Sequence, residues 1–245
     1  MQFNTYWDQC GLADHPTLAA EATALADEVR AHQDALRAVL TPQALAATPV
    51  QWRYRVPELG DAGACSLFGT LAEQPYELAD SLGGRSADTE KLLALATAVV
   101  GYYRQHSRSH WFGVYQARAN AAGARVLVKL AYFGAESRAE FPLTDEFAKG
   151  SNNSAVGLSG RGRLINDVGT YVNDGGAYYT CDPKVNAEAC LPLFGEDGRV
   201  VGIIDSEAFD RGFFTGGELA LVLAVAATLS GDALASRPAP GVTAP

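Results

Sequence analysis

The spacing of apolar and polar residues predicts helices near both ends of the chain. Apolar side chains recur at helical intervals across residues 17–40, with charged residues between them, which indicates a long amphipathic helix. Ser86 has N-cap chemistry and precedes an apolar face that extends to about residue 106, so a second helix is predicted there. Residues 219–229 are apolar and bounded by glycines, and they predict a closing helix.

A period of two replaces the helical period in the middle of the chain. Residues 111–117 and 125–132 predict the two strands of a hairpin, and residues 188–194 and 200–207 predict two more apolar strands with a glycine-containing turn between them. Residues 150–154 are polar and predict a loop. The order helix, hairpin, irregular middle, hairpin, helix predicts an α+β fold, in which helices pack on one face of an antiparallel sheet.

The same pattern divides the chain into three predicted segments. Residues 1–85 form a mainly helical N-terminal extension, in which the alternation around Trp52 also predicts a short strand. Residues 86–235 contain the predicted sheet and its flanking helices. Residues 236–245 are rich in proline, and we expect this tail to be disordered.

Composition and charge exclude several classes of partner. The chain has 245 residues and a formal net charge of −9, which argues against non-specific binding to nucleic acid or to an anionic membrane. The N-terminus lacks the features of a signal peptide, and residues 219–229 are shorter than the roughly 20 residues of a membrane span. We therefore expect a cytoplasmic protein that binds neither nucleic acid nor membrane.

The cysteines and histidines predict thiols and no metal site. The four cysteines are scattered and form no Cys-x-x-Cys pair, so they should be free thiols in a reducing compartment. His106 and His110 are four residues apart, a spacing that can ligate a metal on a helix face, but no third ligand accompanies them. A polar helix end followed by a strand is the preferred explanation of the pair.

One stretch combines a thiol with acidic residues on apolar strands. Cys181 precedes Glu188 by seven residues, and Asp205 and Glu207 end the next predicted strand. Carboxylates are rarely buried unless something pairs with them, so their position on apolar strands indicates a pocket. The chain has no Gly-x-Gly-x-x-Gly, P-loop or Gly-x-Ser-x-Gly motif, which argues against nucleotide-binding and α/β-hydrolase folds.

Several motifs, in order, resemble those of the GAF-fold free methionine-(R)-sulfoxide reductases. They are the sequence around Trp111 and Tyr115, Cys181-Asp182 with Glu188 seven residues later, Leu191-Pro192-Leu193, the glycine turn 197–202 and Asp205-Ser206-Glu207. The resemblance covers about residues 86–234. It implies a GAF-like antiparallel sheet with flanking helices, preceded here by the N-terminal extension.

The resemblance also implies roles for individual residues. Cys181 corresponds to the nucleophile that attacks the sulfoxide sulfur of free L-methionine (R)-S-oxide. Glu188, Asp205 and Glu207 correspond to the acids that hold the substrate and help to protonate its oxygen, although the family usually has Asp where this chain has Glu207. Trp111 and Tyr115 correspond to the aromatic wall. No bound cofactor is implied, and the electrons would come from an external thiol reductant of the thioredoxin type.

The chain departs from the family in its other cysteines. The family has two further cysteines before the nucleophile, one of which resolves the sulfenic acid, and this chain has Arg138 and Asn153 or Val156 in the corresponding region. Cys190 is the nearest replacement in sequence, and it should point to the same strand face as Glu188. Cys10 and Cys65 are alternatives if the N-terminal extension covers the site.

Each of these residues also has an ordinary structural alternative. Cys181 and Cys190 could be small buried residues, and Trp111 and Tyr115 could be core. Glu188 could form a salt bridge with Lys184 or Arg199, and Asp205 could cap a loop. Two hypotheses therefore remain: a methionine sulfoxide reductase, and a non-catalytic GAF module that binds a small amino-acid-like metabolite. The amphipathic N-terminal helix leaves a homodimer open in either case.

Overall fold

The structure is a computed structural model that describes residues 1–14, 16–60, 66–120, 122–178 and 182–231. The helices are α1 (Phe3–Gln9), α2 (Pro16–Val39), α3 (Pro42–Ala46), α4 (Leu78–Leu82), α5 (Ala87–His106), α6 (Asp145–Ala148), α7 (Asn152–Ser159), α8 (Val168–Asn173) and α9 (Gly216–Leu229). The strands are β1 (Arg53–Tyr54), β2 (Pro57–Leu59), β3 (Ser66–Leu71), β4 (Tyr76–Glu77), β5 (Trp111–Ala119), β6 (Arg125–Phe133), β7 (Glu140–Pro142), β8 (Arg163–Ile165), β9 (Ala187–Phe194) and β10 (Val200–Ala208). Cys65, Cys181 and the proline-rich tail lie outside the described residues.

A six-stranded antiparallel sheet is the centre of the fold, with the strand order β7-β6-β5-β10-β9-β8. The two predicted hairpins form β5–β6 and β9–β10, and they join side by side through β5 and β10. The predicted α+β class is therefore confirmed. Two small two-stranded sheets, β1–β4 and β2–β3, come from the segment before α5.

One face of the sheet is covered by helices from both ends of the chain. Leu25, Val29 and Leu36 of α2 belong to the same buried cluster as the apolar residues of α9 and α5. The N-terminal segment therefore shares its core with the sheet-containing part, and the predicted boundary at residue 85 stays a prediction. The apolar face of α2 is used within its own chain, so the predicted homodimer gains no support from that face.

The predicted positions of the long helices are confirmed. The helix predicted over residues 17–40 is α2, and the one predicted to begin at Ser86 is α5. Ser86 caps α5 reciprocally with Thr89: its hydroxyl accepts a hydrogen bond from the Thr89 amide, and the Thr89 hydroxyl accepts one from the Ser86 amide. Within the described part of the chain, no helix has both the length and the apolarity needed to cross a membrane.

The loop predicted at residues 150–154 is wrong, because most of this segment is the first turn of α7. Ser151 caps the helix, since its hydroxyl accepts a hydrogen bond from the Ser154 amide. Asn152, Asn153 and Ser154 are buried. Their polarity indicated a solvated loop, whereas the helix in fact turns these polar side chains toward the interior of the protein.

Gly157 lets α7 approach the sheet closely, and this can be tested by comparison with Gly101 in α5. A Cβ at Gly157 would lie 2.7 Å from Cδ2 of Leu143, whereas one at Gly101 meets nothing within 4 Å. In an open helix interior, Gly→Ala stabilises by about 0.5–1 kcal/mol. We expect Gly101→Ala to raise the free energy of unfolding by that amount and Gly157→Ala to lower it, as measured by urea denaturation. Equal stabilisation by both substitutions would contradict this packing of α7.

Candidate functional site

The register of three central strands gathers the predicted site residues on one sheet face. Glu207 of β10 lies opposite Glu188 of β9 on one side and opposite Trp111 of β5 on the other. One row further along, Asp205 lies opposite Cys190 and Gly113 in the same way. Because residues two apart on a strand share a face, these two rows form a single patch. The acids and the aromatic residue predicted for the site are thus brought together.

The aromatic wall is packed onto the sheet through a glycine. A Cβ at Gly113 would lie only 2.4 Å from the Trp111 ring, so this ring lies directly over the backbone of β5. The indole Nε1 donates a hydrogen bond of 3.0 Å to the carbonyl of Ala135, which fixes the ring. Tyr115 is buried beside it, with ring centroids 6.3 Å apart. Both predicted aromatic residues therefore line the site.

The first turn of α7 supplies two amides that bind the buried acids. Asn152 Nδ2 donates a hydrogen bond of 3.1 Å to Glu188 Oε1, and Asn153 Nδ2 donates one of 3.0 Å to Asp205 Oδ2. Arg163 Nη1 donates to Oδ1 of Asn152 at 2.8 Å, which orients that amide. This role of the asparagines was not predicted from the sequence, because consecutive Asn residues are also typical of loops.

These residues enclose a small cavity. Its lining comprises Trp111, Tyr115, Ser137, Phe141, Asn152, Asn153, Glu188, Asp205 and Glu207, and its free volume is about 10 Å³. That is room for about one water molecule. A second cavity of about 40 Å³ shares Trp111, Ser137 and Glu207 with it and continues toward His110 and Asp182. Glu207, which is half-buried, lies between the two.

Burial raises the pKa of all three acids, and repulsion from neighbouring acids adds to the shift for Asp205 and Glu207. Burial raises the pKa of Glu188, and burial followed by the charges of Glu188 and Glu207 raises the pKa of Asp205 well above its usual value. For Glu207, burial and the neighbouring acids Glu188 and Asp182 raise the pKa to about 8. Arg163 and Lys129 act in the opposite direction on Glu188 and Glu207, respectively, without reversing the shifts. The site therefore favours bound protons or another cation.

Asp205 has one oxygen that is not satisfied. Its side chain is only 3% exposed, Oδ2 accepts the bond from Asn153, and Oδ1 accepts none from the described residues. A buried acceptor without a partner is costly. Since Asp205 lines the cavity, this oxygen is available to a ligand.

Lys129 is a buried cation behind the aromatic wall. Its Nζ donates hydrogen bonds to the carbonyl and hydroxyl oxygens of Ser137 and lies 3.9 Å from the ring centroid of Tyr132 and 5.7 Å from that of Trp111. Its charge lowers the pKa of Glu207. The ring of Trp111 thus lies near a protein cation and also lines the acidic cavity, and this arrangement was not predicted from the sequence.

The predicted nucleophile Cys181 lies outside the described residues, but residues on both sides of it belong to the site. Tyr178 forms a hydrogen bond with Glu188, and the nearby acids together with burial raise the tyrosine pKa. Asp182 lines the second cavity. Tyr178 and Asp182, the described residues that flank Cys181 in sequence, therefore both lie next to the acidic patch.

Cys190 shares the face of Glu188, as predicted. Its side chain is fully buried, and burial and the charges of Asp205 and Glu188 raise the pKa of its thiol well above the usual value. The role of resolving thiol stays a prediction, and this environment opposes the thiolate that such a role requires. Cys10 is also buried: its thiol contacts the carbonyl of Trp7, and burial raises its pKa to about 12.

Two structural alternatives for the acids are not realised. Glu188 forms hydrogen bonds with Asn152 and Tyr178, while its proposed partner Arg199 forms a salt bridge with Asp197. Asp205 lies within β10 and does not cap a loop. The pair His106 and His110 does not share a helix, because α5 ends at His106.

Neither a protein-family model nor a curated protein matches this chain. Among solved structures, it is similar to the type II free methionine-R-sulfoxide reductase from Thermoplasma acidophilum, with 18% identity over 59% of this chain and 95% of that one and a TM-score of 0.47. The free methionine-R-sulfoxide reductase from Neisseria meningitidis has 18% identity over 60% and 78% of the two chains, with a TM-score of 0.43. The GAF domain from Acinetobacter phosphoenolpyruvate-protein phosphotransferase has 12% identity over 61% and 83%, with a TM-score of 0.42. The solved structures to which the chain is similar thus include both reductases and a GAF domain.

The raised pKa of Glu207 predicts a specific dependence of stability on pH. The folded chain holds this proton up to a pH of about 8, whereas the ordinary value is 4.5. Folding therefore favours the protonated form, and stability should decrease as pH rises from about 4.5 to about 8. In Glu207→Gln this part of the decrease should be lost, as measured by urea unfolding near pH 5 and near pH 8.

Glu196→Gln is the control, because Glu196 is exposed in the turn after β9. Between the two pH values, the free energy of unfolding of this variant should change by the same amount as that of the parent protein. If Glu207→Gln and the parent lose the same stability over this range, the proposed retention of a proton at Glu207 is incorrect.

Proposed function

We propose that the acidic cavity binds the ammonium group of a free amino acid and that the chain reduces free L-methionine (R)-S-oxide to L-methionine with Cys181 as nucleophile. The observation that carries this proposal is the convergence of Glu188, Asp205 and Glu207 beside the wall of Trp111 and Tyr115. The fold is compatible both with such an enzyme and with a GAF domain that only binds a ligand.

The acids and the aromatic wall together favour a small ligand that carries a positive charge and an apolar side chain. Three acids with raised pKa values gain most from a ligand that brings a positive charge into the cavity. The unsatisfied Oδ1 of Asp205 is a ready acceptor for an ammonium N–H. The faces of Trp111 and Tyr115 can pack on a thioether or sulfoxide side chain, since sulfur contacts with aromatic rings are favourable by about 0.3–1.5 kcal/mol.

The chemical step requires a thiol and a proton donor. The sulfur of Cys181 attacks the sulfoxide sulfur; the S–O bond of the sulfoxide then breaks as a new S–O bond to Cys181 forms, so that Cys181 becomes a sulfenic acid and methionine leaves. The thiol proton is lost and a proton is delivered to the oxygen, so the step is balanced without another reactant. Glu207 suits the proton donor, because its raised pKa of about 8 keeps it protonated near neutrality.

Turnover then needs two electrons from outside the site. A first external thiol condenses with the sulfenic acid of Cys181 to give a mixed disulfide and water, and a second thiol releases Cys181. A reductant of the thioredoxin type can supply both thiols, and no bound cofactor is needed. Because Cys190 is buried with a raised pKa, we favour this direct route over resolution by Cys190.

The ligand must open the cavity. Its free volume of about 10 Å³ is too small for an amino acid, and the neighbouring volume of about 40 Å³ lies behind Trp111, Ser137 and Glu207. Moving these side chains apart would join the two spaces. The half-buried position of Glu207 makes it the side chain that a ligand would meet first.

A second candidate function is non-catalytic binding of a small amino-acid-like metabolite. Asn153 specifically favours it, because this residue lies in the region where the resembled family has a resolving cysteine. Here its amide instead binds the carboxylate of Asp205. In this hypothesis the same cavity recognises an ammonium group, and Cys181 has no redox role.

The two functions are separated by coupling the protein to thioredoxin, thioredoxin reductase and NADPH with free methionine sulfoxide. The first hypothesis predicts NADPH consumption with the R epimer, loss of it in Cys181→Ser, and a decrease of about 10²–10⁴-fold in kcat for Glu207→Gln. Cys10→Ser is the matched control, because Cys10 does not line the cavity, and it should retain the parent rate.

Activity that survives Cys181→Ser would overturn the assignment of the nucleophile. Absence of activity with every thiol donor would overturn the reductase hypothesis, and calorimetry then tests the second one. L-methionine should bind, its analogue without the ammonium group should not, and Asp205→Asn should weaken binding. Equal binding of both compounds would contradict ammonium recognition as well.

A further inference from the structure

The buried thiol of Cys190 lies among the same carboxylates. One ligand atom from each of Glu188, Cys190 and Asp205 lies within 4.8 Å of the other two, and all three residues are buried. Cys190 and Asp205 are paired across β9 and β10, and Glu188 precedes Cys190 by two residues on the same face. The sheet therefore presents a thiol and two carboxylates to one point. The resemblance gives Cys190 no role in substrate binding.

The carboxylates are held in the way that metal ligands usually are. Asn152 binds Oε1 of Glu188, and Asn153 binds Oδ2 of Asp205. Each carboxylate thus has one oxygen that is held by an amide. Carboxylates that ligate metals are typically held in this way by hydrogen bonds from surrounding residues. The second oxygen of Asp205 is buried and has no hydrogen-bond partner among the described residues, and Asp205 is one of the residues that line the cavity. An oriented, unsatisfied oxygen of this kind is what a cation would coordinate.

The thiol distinguishes the kind of cation. An ammonium group gains little from a neighbouring sulfur, whereas a borderline-soft divalent ion such as Zn²⁺ forms strong bonds to thiolate, at about 2.3 Å, and to carboxylate oxygen, at about 2.0–2.2 Å. Tetrahedral coordination at these lengths requires ligand atoms about 3.5 Å apart. The ligand atoms lie within 4.8 Å of one another. Side-chain rotations that bring them about 1 Å closer together therefore give the separation that tetrahedral coordination requires.

We infer that Glu188, Cys190 and Asp205 form a binding site for a zinc-like divalent cation, with the fourth position open to water or a ligand. The site goes beyond the proposed reduction and does not depend on it. Because it uses the oxygens proposed to bind the ammonium group, cation and amino acid should exclude each other. A bound divalent cation would therefore prevent the amino acid from binding, and removal of the ion would restore amino-acid binding.

Titration with Co²⁺ tests this inference directly, since a thiolate bound to Co²⁺ has a charge-transfer absorption. The full chain, reduced and freed of metal, should bind about one Co²⁺ with this absorption, and Zn²⁺ should displace it. Cys190→Ser should abolish the absorption, whereas Cys10→Ser and Cys181→Ser should retain it. Asn153→Ala should weaken binding about 10–100-fold while retaining the absorption.

Three outcomes would each overturn the proposed metal site: the absorption persists in Cys190→Ser, it is lost in Cys181→Ser, or no Co²⁺ binds at all. Circular dichroism and the melting temperature of each variant show whether it is folded. Asp205→Asn, which keeps the shape of the side chain, serves as a second variant and should also weaken binding. Because metal binding is measured without turnover, these results are independent of the activity assay.

Discussion

The crowding of three carboxylates, two of them buried and one half-buried, on one face of an antiparallel sheet is the constraint on which the rest of the site depends. Glu188, Asp205 and Glu207 lie side by side on β9 and β10, where water cannot solvate their charges fully. Uncompensated charges in such a place are strongly unfavourable, so the carboxyl groups hold protons or need a cation. This requirement explains why the pKa values are raised and why the asparagines of α7 bind two of the acids. It is also the reason that both proposed ligands, the ammonium group and the divalent ion, are cations.

The surrounding structure relieves only part of that cost. Asn152 and Asn153 satisfy one oxygen each on two of the acids, while Lys129 and Arg163 act on the patch without neutralising it. The helices α2, α5 and α9 stabilise the opposite face of the sheet with a large apolar core. Such a core can support an unfavourable polar patch, because sites that bind ligands often retain strain that packing elsewhere offsets.

The sequence allowed the architecture to be predicted, and five of the residues that it singled out line one cavity, while their roles stay predictions. The helical period identified α2 and α5, and period-two alternation identified the strands whose register aligns Trp111, Glu207 and Glu188. The polar turn of α7 was mistaken for a loop, because its asparagines are buried by bonds to distant residues rather than by apolarity. The position of Lys129 behind Trp111 depends on contacts between strands that no local pattern contains.

The most direct test of the central claim is the number of protons released when an ammonium ligand binds. Calorimetry with L-methionine in two buffers of different ionisation enthalpy measures this number near neutral pH, without any redox step. Because Asp205 is buried and holds its proton in the free protein, the cationic ligand should displace that proton, and net proton release is predicted. The Asp205→Asn variant should release fewer. Binding of L-methionine without proton release would contradict the claim that the acids of the cavity are protonated in the free protein and exchange a proton for a bound cation.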